Sequence, residues 1–121
     1  MAIKNSKCIN IDGILSSYQA SSANTANTIT LSTTTQRYRF YGFNCIISGA
    51  ASVNAITITV TLGGTTKFYD ALPVGTAIGN GISKILTNPI EATAIGQALV
   101  ITASAGGASV VTNISLLYDL V

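Results

Sequence analysis

Ala55-Ile56-Thr57-Ile58-Thr59-Val60-Thr61-Leu62, followed by Gly63-Gly64 and then Thr65-Thr66-Lys67-Phe68-Tyr69-Asp70-Ala71-Leu72, decides the fold class. Apolar and hydroxyl-bearing residues alternate with a period of two. That period sends Ile56, Ile58, Val60 and Leu62 to one side of an extended strand and Thr57, Thr59 and Thr61 to the other. A helix would scatter the same residues around its circumference. The glycine pair supplies the backbone of a two-residue hairpin turn, so residues 65–72 return as the antiparallel partner and Pro73 stops them. One side of this hairpin belongs to a core and the other carries hydroxyls.

The same period recurs on both sides of the hairpin. Gln36–Ser48 reads as a strand with Tyr38, Phe40, Gly42, Asn44 and Ile46 on one face and Arg37, Arg39, Tyr41, Phe43, Cys45 and Ile47 on the other. Aromatic residues on both faces predict a strand covered twice, by a sandwich core and by a neighbouring subunit. Gly42 marks a candidate bulge. Thr28–Leu31, Ile82–Leu86, Ile90–Ala92 and Gln97–Ser104 are shorter strands, with a turn at Asn88-Pro89 and a second hairpin turn at Ala105–Ala108. Val110–Val121 closes the chain with Val110, Thr112, Ile114, Leu116, Tyr118 and Leu120 on one face. Roughly seven to nine strands separated by short turns are the pattern of an all-β chain, a single β-sandwich of jelly-roll type. Residues 1–22 read as an extended N-terminal arm and residues 23–121 as the sandwich domain. Within the arm Ile9, Ile11, Ile14 and Leu15 suit a short edge strand, and Ser16–Asn27 reads as a loop because it offers little to bury.

Composition narrows the function. The chain has 121 residues, no His, no Trp, two Cys, six basic residues and four carboxylates. Only 8% of residues are charged against 48% apolar, where about a quarter charged is usual. Sheet faces in such a chain are covered by Ser and Thr hydroxyls or by other subunits. Without His, nucleophile–base catalysis lacks its usual proton acceptor, and zinc lacks a ligand set. Asp70 and Asp119 are the only carboxylates placed to form a hydrolytic pair, and a glycosidase site would also want aromatic platforms beside them. No enzyme activity, cofactor or metal is expected.

The basic residues Lys4, Lys7, Arg37, Arg39, Lys67 and Lys84 are scattered, and the net charge is only +2. They read as solvated strand ends, not as a nucleic-acid footprint. Gly75–Gly81 has the glycine density of a phosphate loop but neither a Gly-Lys-Ser/Thr ending nor a following helix. Cys45 reads as a small buried hydrophobe, with a Cys8–Cys45 bridge the less favoured reading. No signal peptide and no membrane-length apolar run is visible, and the Asn113-Ile114-Ser115 sequon reads as chance. The Thr57–Thr61 run is too short to build a regular ice-matching lattice, and Thr suits a solvent-facing sheet. Arg37, Tyr38, Arg39, Tyr41, Thr57, Thr59 and Thr61 are therefore the candidate interface residues. A sugar-binding module is the rival reading, with Tyr38, Tyr41 or Tyr69 as platform. Its discriminating feature is a concave face bearing an exposed aromatic beside Asn or Asp.

Pro89-Ile90-Glu91, Gly96-Gln97-Ala98-Leu99-Val100-Ile101 and Asn113-Ile114-Ser115-Leu116-Leu117-Tyr118, with Lys67-Phe68-Tyr69-Asp70 before them, resemble small virion proteins of tailed bacteriophages. The resemblance covers the last two thirds of the chain and defines strands, not a site, so no functional residue is carried over. It implies a β-sandwich that assembles as a trimer or inserts between subunits of the major capsid protein. The function it implies is head decoration (cement), with tail, fibre or baseplate accessory subunits as the alternative. The implied place is the virion, with no specific nucleic acid and no membrane as partner.

Overall fold

The computed structural model describes residues 13–121. Eight strands follow one another: β1 Leu15–Ala20, β2 Asn27–Leu31, β3 Tyr38–Ser48, β4 Ile56–Leu62, β5 Thr65–Leu72, β6 Gly81–Glu91, β7 Leu99–Ala103 and β8 Val111–Leu120. They form two antiparallel four-stranded sheets, β1-β8-β3-β6 and β2-β7-β4-β5. The pairs β1·β8, β2·β7, β3·β6 and β4·β5 nest around the β4–β5 turn, with β1 and β3 in one sheet and β2 and β4 in the other. This is a long hairpin rolled onto itself, the jelly-roll form of the sandwich. Gly63 and Gly64, both at positive φ (61° and 83°), make the β4–β5 turn as their sequence predicts.

Alternation fills the space between the sheets. Ile56, Ile58, Val60 and Leu62 of β4 meet Leu99, Ile101 and Ala103 of β7 on one side, and Ile114 and Leu116 of β8 close the other. All are at most 2% exposed. The expected two-face split of β3 is corrected here. Phe40 pairs with Tyr118 and Gly42 with Leu117, so Tyr41 is an extra residue in a bulge. The extra residue moves the strand's phase by one. Tyr38 and Phe40 before it, and Phe43, Cys45 and Ile47 after it, all face the core, whereas Asn44 and Ile46 face out. A β-carbon at Gly42 would lie 2.2 Å from the Lys84 carbonyl oxygen, so only glycine lets β6 pass there. The aromatics thus form one core group: Phe68 stands edge-on to Phe43 at 5.5 Å and tilted to Phe40 at 6.2 Å, and Tyr38 stands edge-on to Tyr118 at 5.8 Å. Each such pair contributes about 0.5–1.5 kcal/mol beyond its buried area.

Three further expectations change. Ser16–Ala20 is not loop but most of β1, in register with Ala20↔Asn113 through Leu15↔Tyr118. Its residues stay exposed or half-buried because it is an edge strand, so a reading based on burial passes over it. The expected edge-strand residues Ile9 and Ile11, most of the arm and Cys8 lie outside the described residues. Asn88-Pro89 is not a chain-reversing turn. It lies within β6, where β3 pairing skips from Gly42↔Ile85 to Phe40↔Ile90, a bulged edge strand being a place that tolerates proline. Ala105–Ala108 is not a hairpin turn either. It carries the chain from β7 in one sheet to β8 in the other, and Gly106 accepts hydrogen bonds from the amides of Val53 and Asn54.

Candidate functional site

The predicted interface residues separate onto two surfaces. Tyr38 is 5% exposed and belongs to the core. Burial, and then its neighbour Tyr118, push its phenol above the ordinary range. Arg39 and Tyr41 converge on Asp119 of β8. Arg39 Nε donates to Asp119 Oδ1 at 2.8 Å, its Nη2 donates to Oδ2, and Tyr41 Oη donates to Oδ2 at 3.0 Å. The Arg39 guanidinium also lies 5.8 Å from the centre of the Tyr41 ring. A fork-shaped donor on a carboxylate is the strong form of ion pair. The hydrogen bond to Asp119 holds the guanidinium pKa above its usual range. Burial first, then its bond to Asp119, raises that of Tyr41. Arg37 pairs with Glu91 at 2.9 Å, and Lys84 stands 3.9 Å from Asp70 across the β5–β6 edge. Every described acid therefore has a basic partner. These groups tie strands together and are not left open to a ligand. Asp70 and Asp119 do not form a pair, each being engaged on a different sheet. Among the described residues no cluster of His, Cys, Asp and Glu is able to hold a metal.

Thr57, Thr59 and Thr61 point outward and half-buried from β4. Register extends them across the whole sheet: Thr28–Thr102–Thr59–Tyr69 form one row and Thr30–Val100–Thr61–Thr66 the next. Thr28 and Thr102 share a hydroxyl hydrogen bond at 3.3 Å. No charged side chain occurs in either row. The two rows therefore offer a neutral methyl-and-hydroxyl surface that reaches Tyr69, 61% exposed, with exposed Lys67 in the β5 bulge between their ends. Strand-to-strand twist of about 20–25° keeps such a surface from being a flat lattice.

The Gly75–Gly81 loop is held from within. Buried Ser52 accepts from the Thr76 amide at 2.9 Å and donates to the Pro73 carbonyl at 2.9 Å, and the Gly75 amide donates to the Ser52 carbonyl at 2.8 Å. The amides of Gly75, Thr76, Gly79 and Asn80 are all spent on acceptors of the chain itself, which leaves no convergent set to cradle a phosphate. Cys45 is fully buried, and burial pushes its thiol up to about 11.

A third surface escaped the sequence reading. On the outer face of β1-β8-β3-β6, the register places Tyr18, Ser115, Asn44 and Ser83 in one row across the four strands. Tyr18 is 63% exposed. Its hydroxyl donates to Asn113 Oδ1 at 3.0 Å, while Asn113 Nδ2 donates to the Ile46 carbonyl at 3.0 Å and to Ser48 Oγ at 3.1 Å. At the far end of the row an open depression of about 250 Å³ is lined by Asn44, Ile46, Asn80 and Ser83. Tyr18 lay in a stretch read as loop, and no local signal marked it.

No family model and no curated protein sequence matches the chain. Solved structures that are similar in part include the insecticidal delta-endotoxin Cry8Ea1 of Bacillus thuringiensis, with 18% identity over 83% of this chain and 19% of that one, at a TM-score of 0.46. The VP2 subviral particle of infectious bursal disease virus shows 13% identity over 89% and 32%, at 0.44. A ruminal GH26 endo-beta-1,4-mannanase shows 7% over 79% and 18%, at 0.41. The chain spans about a third or less of each of these proteins. No helix of the described residues is long and apolar enough to cross a membrane. Likeness of this strength does not extend to function, which rests on the chain's own surfaces.

Proposed function

We propose that this chain is a non-enzymatic structural subunit of a virus particle, in particular a head decoration (cement) protein of a tailed bacteriophage that works by covering and tying together neighbouring subunits. One observation carries the reading: the outer face of β2-β7-β4-β5 is built from threonines in register, with no charged side chain in its two central rows. Burying a neutral hydroxyl surface avoids the several kcal/mol that an unpaired ion costs on leaving water. Thr hydroxyls also keep the free subunit soluble. Homotrimeric assembly and the major capsid protein as partner come from the resemblance to small phage virion proteins, an argument by analogy.

The test adds the purified protein to undecorated phage heads after light scattering has fixed its oligomeric state. Thr59→Lys puts a charge at the centre of the threonine rows and should leave folding intact while abolishing trimer formation and head binding. A wild-type protein that stays monomeric and never binds heads refutes the proposal. A tail or baseplate position in an imaged particle would move the protein to the accessory-subunit alternative.

A further inference from the structure

We propose that the outer face of the β1-β8-β3-β6 sheet is a binding site for a short neutral oligosaccharide, laid across the strands from Tyr18 to Asn44, Asn80 and Ser83. The site is separate from the threonine surface, because it lies on the other sheet.

Register sets its dimensions. Tyr18, Ser115, Asn44 and Ser83 are successive cross-strand neighbours. At about 4.8 Å per strand the row spans roughly 14 Å, room for a di- or trisaccharide. At one end stands Tyr18, an exposed ring that is not free to swing. Its hydroxyl is held by Asn113, which is itself held by the Ile46 carbonyl and Ser48 Oγ. A ring fixed before binding loses little freedom on binding, and its open face suits the C–H face of a pyranose. At the other end the depression offers Asn44, Asn80 and Ser83, groups that both donate and accept. None of the three side chains is hydrogen-bonded to another described residue, so their capacity is open. Gly79 and Gly81 leave that wall bare, and Ile46, 39% exposed, supplies an apolar patch.

Charge selects the ligand class. The flanking rows, Ser16–Leu117–Gly42–Ile85 and Ala20–Asn113–Ile46–Gly81, hold no ionisable side chain. The ions around this face are paired, Arg39 with Asp119, and Lys84, next to Ser83 in β6, with Asp70 of the opposite sheet. Among the described residues, a phosphate or carboxylate finds no unpaired cation in these rows, and a cationic ligand finds no unpaired acid. An uncharged polyol with one apolar ring face matches the whole set. Tyr69 on the opposite sheet lacks this setting, with Thr59 as its cross-strand neighbour.

The experiment is a titration of the isotope-labelled full chain with cellotriose, maltotriose, mannotriose and chitotriose, followed by amide NMR shifts. At least one should move the amides of Tyr18, Asn44, Ile46, Asn80–Ser83 and Ser115, with a dissociation constant near 1 mM, roughly the affinity expected of an open surface site. Tyr18→Ala and Asn44→Ala should each weaken binding by about tenfold or more, while Tyr69→Ala leaves it unchanged. Tyr18 is exposed, so its loss leaves the core untouched. The proposal is overturned if none of these sugars shifts these amides at tens of millimolar, or if the shifts map to the Tyr69 face. It is also overturned if the same amides move with protein concentration alone, which would assign the face to a second copy. Head binding is measured separately, so either proposal can fail without the other.

Discussion

The bulge at Tyr41 determines which half of β3 lies inside, and truncating one residue on each face tests it. Phe43 is fully buried and stands edge-on to Phe68 at 5.5 Å. Phe43→Ala removes a whole buried ring and leaves a cavity, a loss of about 3–5 kcal/mol. Ile46, three residues on, points outward and is 39% exposed. Burying an isoleucine fully is worth about 1.5–3 kcal/mol, so a side chain with two fifths of its surface already wet loses about 1 kcal/mol on truncation to Ala. A strand without the bulge would put Asn44 and Ile46 inside and Phe43 outside, and the two costs would exchange. Gly42→Ala supplies the third measurement. Its β-carbon would meet backbone at 2.2 Å, not a flexible side chain, so β3 and β6 must part, and overpacking of about 1–3 kcal/mol or more is expected. Urea unfolding followed by far-ultraviolet circular dichroism gives all three values, read from midpoints at constant slope. Phe43→Ala costing no more than Ile46→Ala, or Gly42→Ala falling within about 0.5 kcal/mol of wild type, would refute the bulge and with it the single aromatic core.

Asp119→Asn should cost about 1–3 kcal/mol, since it strips the carboxylate from both Arg39 and Tyr41; Glu91→Gln, at an exposed pair, should cost under about 1 kcal/mol in the same assay. Thr112 Oγ is buried without a hydrogen-bond partner among the described residues, so Thr112→Val is expected to raise stability by about 1 kcal/mol. Cys45 titrates near 11 in the fold against an ordinary 9.0 because burial disfavours the thiolate. A raised folded value means its contribution is complete below pH 9 and is lost as pH climbs through 11. That loss is about 2–3 kcal/mol. Cys45→Ala should remove that part of the alkaline loss, measured by unfolding at stepped pH, while the part due to Tyr38 and Tyr41 remains. Ile58→Asp should prevent folding, because it sets an unpaired charge among fully buried neighbours, and a native circular dichroism spectrum from that variant would count against the assigned face of β4.

Much of the sandwich is legible in residue order. The β4–β5 hairpin, the core face of β8 and the strand at Thr28–Leu31, most of β2, all follow from alternation and turn chemistry, which act between neighbours in the chain. Edge strands are harder. β1 buries little, so Leu15–Ala20 lacks the alternation that betrays β8, although it pairs with β8 along its whole length. Glycine pairs are ambiguous in the same way. Gly63-Gly64 closes a hairpin and Gly106-Gly107 leads between sheets, because turn chemistry describes a bend and not the strands it joins.

Sequence alone established an all-β chain with neutral faces and little reactive chemistry, since side-chain period and composition are local properties. Tertiary structure decided the rest: the rolled-hairpin order of the strands, the inward turn of Phe43, the union of Arg39 with Asp119 eighty residues away, and the row running from Tyr18 to Ser83. Those features depend on which strands lie side by side and in what register. Pairing energy is nearly the same for many partners, and only burying all the apolar faces together selects one.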